Sequence, residues 1–519
     1  MSTLASPSTT RDTWPPSLLT AEPDQAGRRP LDGEARRDLL VGRLVERLTK
    51  GRGDYRLDDW LTTLVPARDV DYRHEVFSDL QDPHLRTGLV AFSTGMQHVR
   101  RILAMTNKLF YAVEQRRWYL QVARDYTMIV HALADALHEA ALGSAALQGL
   151  AAWVQAYVAS PGFHKLSTDA GELIEQFDAI QYRVRVHADF VEVRPVNPDE
   201  AELASRVLAT FERFQQGAPK SYLQQIRDPG SMDHVEAAIA SFLSRLFPEP
   251  FDSLAAFCAR YDPLVPDEVT RAERELQFYL AYLDLIDQTG PLGVRWSLPE
   301  VGPDHELSIH DGYDIALVLG TAGGDTTVPN DCQLSNDERL VVVTGPNQGG
   351  KTTFARMLGQ LHLLAATGAP VPTRTARIPL VEQIFTLFER GENLEDLRGH
   401  LHDDLTRAHT LLEHLTERSL VLLNEVYSST SPDDALSLGQ DLLTRLEESG
   451  ARSVCVTFLD ELSHHSPTTV SIVAGVDAHD RTRRTYRLER RAADGLAYTR
   501  ALAQLHHLTA QDLHRRLAR

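Results

Sequence analysis

The sequence predicts a multidomain chain in which an α-helical region is followed by an α/β domain. Three observations carry that reading. Apolar residues recur at helical spacing through most of the chain before Gly290, short β-branched runs alternate with helical stretches after it, and one of those runs leads directly into a glycine-rich GxxxxGK[ST] segment. Strand and helix in alternation imply a mostly parallel sheet, because parallel neighbours need a crossover long enough to hold a helix.

Size and composition set the frame. At roughly 150 residues per domain, 519 residues suggest about three domains, and 43% hydrophobic with 24% charged residues excludes global disorder. The net charge of −19 argues against a generally basic, nucleic-acid-coating surface, so any DNA contact must be local. Cys258, Cys332 and Cys455 lie far apart without paired spacing, which excludes a disulfide framework or a zinc module and fits a cytoplasmic location. No apolar run approaches the roughly 18 residues that span a bilayer, and Met1 to Asp12 has no hydrophobic signal core, so no membrane partner is expected.

Taken in order, residues 1–37 are rich in Ser, Thr, Pro and Gly and read as a disordered tail. Residues 38–290 read as helical. Asp82-Pro83 supplies a cap and a first-turn proline, and Leu85, Leu89, Phe92, Met96, Val99 and Leu103 then mark one buried face. Arg100, Arg101, Arg116 and Arg117 fall between apolar positions and read as a solvated face rather than a DNA site. Around 180–196, alternating Tyr182, Val184 and Val186, a His187-Ala188-Asp189 turn and a second extended run predict a small β-hairpin insertion. Helical pattern resumes over Asp199–Phe214 and Asp267–Asp287 and stops at Gly290-Pro291. In 291–519, strands are expected at Ile315–Leu319, Leu340–Thr344, Leu420–Leu423, Ser453–Thr457 and Ser471–Ala474.

The chemistry concentrates after Leu340–Thr344. Gly345, Pro346, Asn347, Gln348, Gly349, Gly350, Lys351, Thr352 and Thr353 fit the P-loop (Walker A) pattern between a buried strand and a helix. Glycines let backbone N–H groups approach a polyanion, Lys351 neutralises terminal phosphate charge, and the Thr352 hydroxyl is a Mg²⁺ ligand. ATP and Mg²⁺ are therefore the expected cofactors. A second apolar strand ends in Asn424-Glu425 about 75 residues on, where such an ATPase places a metal-holding group and then a glutamate that orients the attacking water. Glu425 suits the catalytic role. Asn424 is a weaker metal ligand, since its amide oxygen carries no charge.

These residues resemble the MutS mismatch-repair ATPases, relatives in design of ABC-type ATPases. Gly345–Thr353 is similar to that family's GPNxGGKST loop. Val328–Asp331, Gly368–Pro372, Ile384–Thr386 and Ser419–Ser431, the last similar to SLVLxDExxRGTS, occur in family order, so the likeness runs from about Leu298 onward. Arg73–Phe77 and the helix after it resemble, more weakly, the start of the helical core and lever domains. The resemblance implies an ABC-like P-loop NTPase domain with C-terminal dimerisation helices near Gly495–Leu513, a homodimer with nucleotide between its ATPase domains, and a lever and clamp on double-stranded DNA.

Departures from the pattern qualify this. The mismatch-reading domain has no evident counterpart before Arg73. Arg398-Gly399-His400 stands where the family has its phosphate-sensing Ser-Thr signature, Phe458 where it has a switch histidine, and Asn424 where it has a metal aspartate. The expected function is a DNA-binding ATPase with slow hydrolysis; the alternative is a nucleotide-gated scaffold without a DNA ligand. His464 or His465 could stand in for the histidine, or simply be solvent-exposed, and the basic run Asp480–Arg491 reads as a solvated hairpin or as a DNA or partner contact. An SMC-type ATPase is disfavoured by the lack of long heptads and of an LSGG-like signature.

Overall fold

Long helices and several separate sheets make up the computed structural model of the chain, which describes residues 16–22, 26–186, 190–196, 232, 234–302, 304–320, 327–390, 400–477 and 483–493. The chain divides into two units, one drawn from Met1–Pro16 and Asp79–Glu273, the other from Ser17–Ser78 and Arg274–Arg519.

The first unit is helical. Asp82 accepts a hydrogen bond from the His84 backbone N–H and Pro83 occupies the first turn, so helix Pro83–Thr106 starts at the Asp-Pro signal. Its Leu85, Leu89, Phe92, Met96 and Val99 are buried, with Ile102 rather than Leu103 completing the face. Helix Ala112–Glu139 packs closely against it: a Cβ on Gly88 would lie 2.5 Å from that of Ala136, so the missing side chain is what lets the two backbones approach. Arg100 is not simply solvated, because its guanidinium donates to the buried Glu273 carboxylate at 2.9 Å. Strands Tyr182–Val186 and Val191–Pro195 pair antiparallel. The expected helix over Asp199–Phe214 lies outside the described residues.

The second unit is built on a six-stranded sheet, whose strands we label β1 (Leu340–Thr344), β2 (Gln383–Phe388), β3 (Ser419–Asn424), β4 (Arg452–Val456), β5 (Val470–Val476) and β6 (Arg484–Arg490). Their order is β2-β3-β4-β1-β5-β6, parallel throughout except for the antiparallel β5–β6 pair. Helices α1 (Lys351–Ala366), α2 (His400–Glu413) and α3 (Pro432–Ser449) belong to the same domain. β1, β3 and β4 are buried along their whole lengths, which explains their unbroken apolar runs. A four-stranded sheet of Glu300–Gly302, Thr375–Pro379, Leu307–Gly312 and Asn330–Leu334, in that order, adds a separate layer. α1 is buried on nearly every side, and a Cβ on its Gly359 would meet Leu39 and Leu422 at 2.5 and 2.6 Å.

Two expectations are corrected here. Ile315–Gly320 is an α-helix, not a strand. Its β-branched residues are overridden locally, since the Asp314 carboxylate accepts from the Leu317 N–H and the buried Gln360 amide oxygen accepts from the Ile315 N–H, which caps a helix start. Nor does a tail extend to residue 37. Leu18 and Leu19 are buried, the Leu18 N–H donates to Glu275 at 2.6 Å, and Asp32 caps a helix over Gly33–Asp38. The buried Arg73 guanidinium completes the anchorage by donating to the Leu19 carbonyl at 3.0 Å and the Thr367 carbonyl at 2.6 Å. Two adjacent leucines and one buried cation's need for acceptors order a segment whose average composition reads as disordered.

Candidate functional site

Register places the site. Asn424 lies beside Val456 and Val456 beside Val343, so the carboxyl ends of β3, β4 and β1 finish side by side. In open parallel sheets this edge is where ligands bind. The glycine loop leaves β1 at this edge and ends at Gly350, whose φ of +96° lets the chain turn into α1; Gly345 takes a φ of +115° at the other end. Gly349 is fixed by packing instead, since a Cβ there would sit 2.9 Å from both the Ala474 Cβ and the Pro346 carbonyl oxygen. Asn347 and Gln348 face solvent at the tip, with Gln348 at a φ of +59°.

Lys351, the first residue of α1, is only 5% exposed, and its ammonium turns back across the loop to donate to the Gly345 carbonyl at 2.8 Å. The same nitrogen stands 3.5 Å from the Pro346 carbonyl and 4.5 Å from the centroid of the Phe458 ring. Burial lowers the Lys351 pKa, while Glu425 and Asp460 pull it back up. At the second residue of the helix, the Thr352 hydroxyl donates to the Asn424 side-chain oxygen at 2.8 Å. Thr353 is half-buried on the same turn.

Glu425 follows β3 with a φ of +56° and its N–H donates to the Val456 carbonyl at 2.8 Å. A left-handed glutamate costs about 1 kcal/mol or more, and such strain gathers at functional positions. Burial pushes its carboxyl up, Lys351 opposes the rise and Glu389 adds to it. Tyr427, also left-handed, gives its N–H to Asp404 at 3.3 Å, and the Ser428 hydroxyl donates to Glu389 at 3.0 Å.

The sequence-predicted residues thus converge on one edge of one sheet. Arg398 and Gly399 lie outside the described residues, and His400 opens α2. Among the described residues no hydrogen bond or ion pair joins His464 or His465 to Lys351; the two histidines line a shallow groove with Ser466, Ser471, Arg490 and Arg491. Two contributors escaped sequence reasoning. Arg484, read as part of a solvated basic run, donates to the Asn347 carbonyl at 2.7 Å. Asn330 donates to the Tyr486 carbonyl at 3.1 Å and accepts from the Leu488 N–H at 2.8 Å, tying β6 to the second sheet. Only the Val328–Asp331 motif signalled Asn330, and nothing in the sequence signalled the role of Arg484.

A buried lysine and a glycine turn at the carboxyl end of a central strand, with a left-handed glutamate just past the end of the strand two places away, mark an α/β domain with its candidate site at one sheet edge. Residues 341–503 match MutS domain V. The chain is 29% identical over 289 residues to the DNA mismatch repair protein MutS of Chlorobaculum parvum, covering 55% of this chain and 31% of that protein. It is 35% identical over 169 residues to MutS of Aquifex pyrophilus, 32% of this chain and 19% of the relative, and 31% identical over 166 residues to HexA of Streptococcus pneumoniae, 32% and 20% respectively. The likeness to the MutS family thus lies chiefly in this domain, and the match spans less than a third of the length of each of these relatives. Among the described residues no helix is long and apolar enough to cross a membrane.

Proposed function

We propose that this protein is an ATPase that binds Mg-ATP on the glycine loop and uses nucleotide state to control its hold on double-stranded DNA. The observation that carries the reading is the convergence of Lys351, Thr352, Asn424 and Glu425 at the carboxyl ends of β1 and β3. The loop amides of Gly345 to Thr353 and the N-terminus of α1 favour a polyphosphate, and the Lys351 ammonium adds the balancing charge. Thr352 and Asn424 offer two hard oxygens 2.8 Å apart, a donor pair that suits Mg²⁺ although both are neutral. When bound, the cation would supply charge neutralisation at the phosphates. Glu425, held rigidly by its backbone, is placed to orient and deprotonate water.

Slow turnover follows from the same residues. A neutral Asn424 attracts the cation less than a carboxylate, and Phe458 can neither donate nor accept a hydrogen bond near the reacting atoms. Single-turnover hydrolysis tests this: Glu425→Gln is expected to lower the rate by roughly 10²–10⁴ while Mg-ATP still binds. Equal rates in both proteins would remove Glu425 from the chemistry.

The relatives are named as DNA mismatch repair proteins, and DNA as partner is the reading extended to this chain, acting as a homodimer. The second reading, a nucleotide-gated scaffold, draws support from the Asn424 and Phe458 substitutions. DNA affinity that falls with salt and differs between ATP and ADP favours the first. Tight ATP binding with no DNA response favours the second.

A further inference from the structure

Phe458 stands just past the end of β4, half exposed at 50%, where an apolar ring gains little from burial. Its face lies over the Lys351 ammonium, 4.5 Å from nitrogen to centroid. That nitrogen is otherwise held by the Gly345 carbonyl at 2.8 Å and the Pro346 carbonyl at 3.5 Å. A lysine carries a flexible four-carbon stem, and holding its head at one point costs rotamer entropy. Two carbonyls on one side and an aromatic face on another restrict that freedom before any ligand arrives.

We propose that Phe458 is a positioning residue for Lys351, its ring face fixing the ammonium across the glycine loop so that affinity for a nucleoside triphosphate depends on an aromatic side chain at position 458. The proposal rests on the nucleotide-binding reading and assigns the ring a purpose its exposure leaves unexplained. The ring's quadrupole attracts the cation, whereas an aliphatic side chain of similar bulk would not. The contact therefore offsets part of the hydration the ammonium loses when Lys351 is buried, and it leaves the remaining N–H of the ammonium free to meet a phosphate oxygen.

Two substitutions separate the ring's electronics from its volume: Phe458→Leu and Phe458→Tyr. Equilibrium titration with Mg-ATP is expected to show the Leu variant binding roughly 2- to 30-fold more weakly and the Tyr variant close to the unaltered chain. A second readout needs no nucleotide. Reductive methylation of Lys351, followed by mass spectrometry, should proceed faster in Phe458→Leu than in the unaltered chain or in Phe458→Tyr, because the ring face lies over the amine and shields it. Unchanged Mg-ATP affinity in Phe458→Leu, an equal loss in Phe458→Tyr, or methylation rates that do not differ would overturn the proposal. If the unaltered chain bound no Mg-ATP, the nucleotide reading would fail, and the methylation rates would still decide whether Phe458 holds Lys351.

Discussion

On the Mg-ATP reading, Asn424 is the residue that sets how strongly the site holds a cation. Its side-chain oxygen already accepts from Thr352 at 2.8 Å, so Asn424→Asp keeps the geometry and adds a charge. Charged hydrogen-bonding partners contribute about 1 kcal/mol more than neutral ones, and a carboxylate suits a hard cation better than an amide. The half-saturating Mg²⁺ concentration for hydrolysis should therefore fall by about tenfold, with a faster single-turnover rate. A magnesium titration in which the two proteins superimpose would show that position 424 is not a metal ligand. At this scale, residue type and spacing in the sequence pointed to Lys351, Thr352 and Glu425, which the fold brings to one edge of the sheet. It was silent on Arg484, whose contact with Asn347 depends on β6 folding back beside β5, a long-range pairing that leaves no local pattern.

Elements position these residues, and the glycine loop is rigid through its packing as much as through its hydrogen bonds. Gly349 abuts β5 at Ala474 and the loop's own Pro346 carbonyl, both 2.9 Å from where a Cβ would stand. Gly349→Ala must displace the loop from β5, an overpacking cost of roughly 1–3 kcal/mol localised at the site. The expected outcome is at least a tenfold loss of Mg-ATP affinity by calorimetry, with a small change in thermal midpoint. Unaltered affinity would mean that the loop's shape does not set binding. β1 and β3 could be read directly because strands buried on both faces need continuous apolar runs. Ile315–Gly320 could not, because what makes it helical is Gln360 and Asp314 acting on its first turn, and Gln360 is distant in the chain. The same holds for Leu18 and Leu19, whose order comes from Glu275 and Arg73.

Over the whole molecule, buried histidines tie stability to pH. His362 lies on α1, 1% exposed; its Nδ1 donates to the Leu358 carbonyl at 2.8 Å and its Nε2 has no hydrogen-bond partner. Burial holds its pKa down to about 4 from an ordinary 6.5, and burial does the same to His74. Between those two values the unfolded chain binds a proton that the folded chain refuses, so stability rises with pH across that window. The contribution is complete above pH 6.5 and is lost as pH falls towards 4. From the unfolded and folded values, lowering pH from about 7 to about 5 should cost on the order of 2 kcal/mol from His362 alone. His362→Met fills similar space with no titrating group, so its denaturant-derived stability should fall by about 2 kcal/mol less over that interval, the His74 contribution remaining in both proteins. Parallel losses in the two would show that the His362 proton is not refused in the folded state.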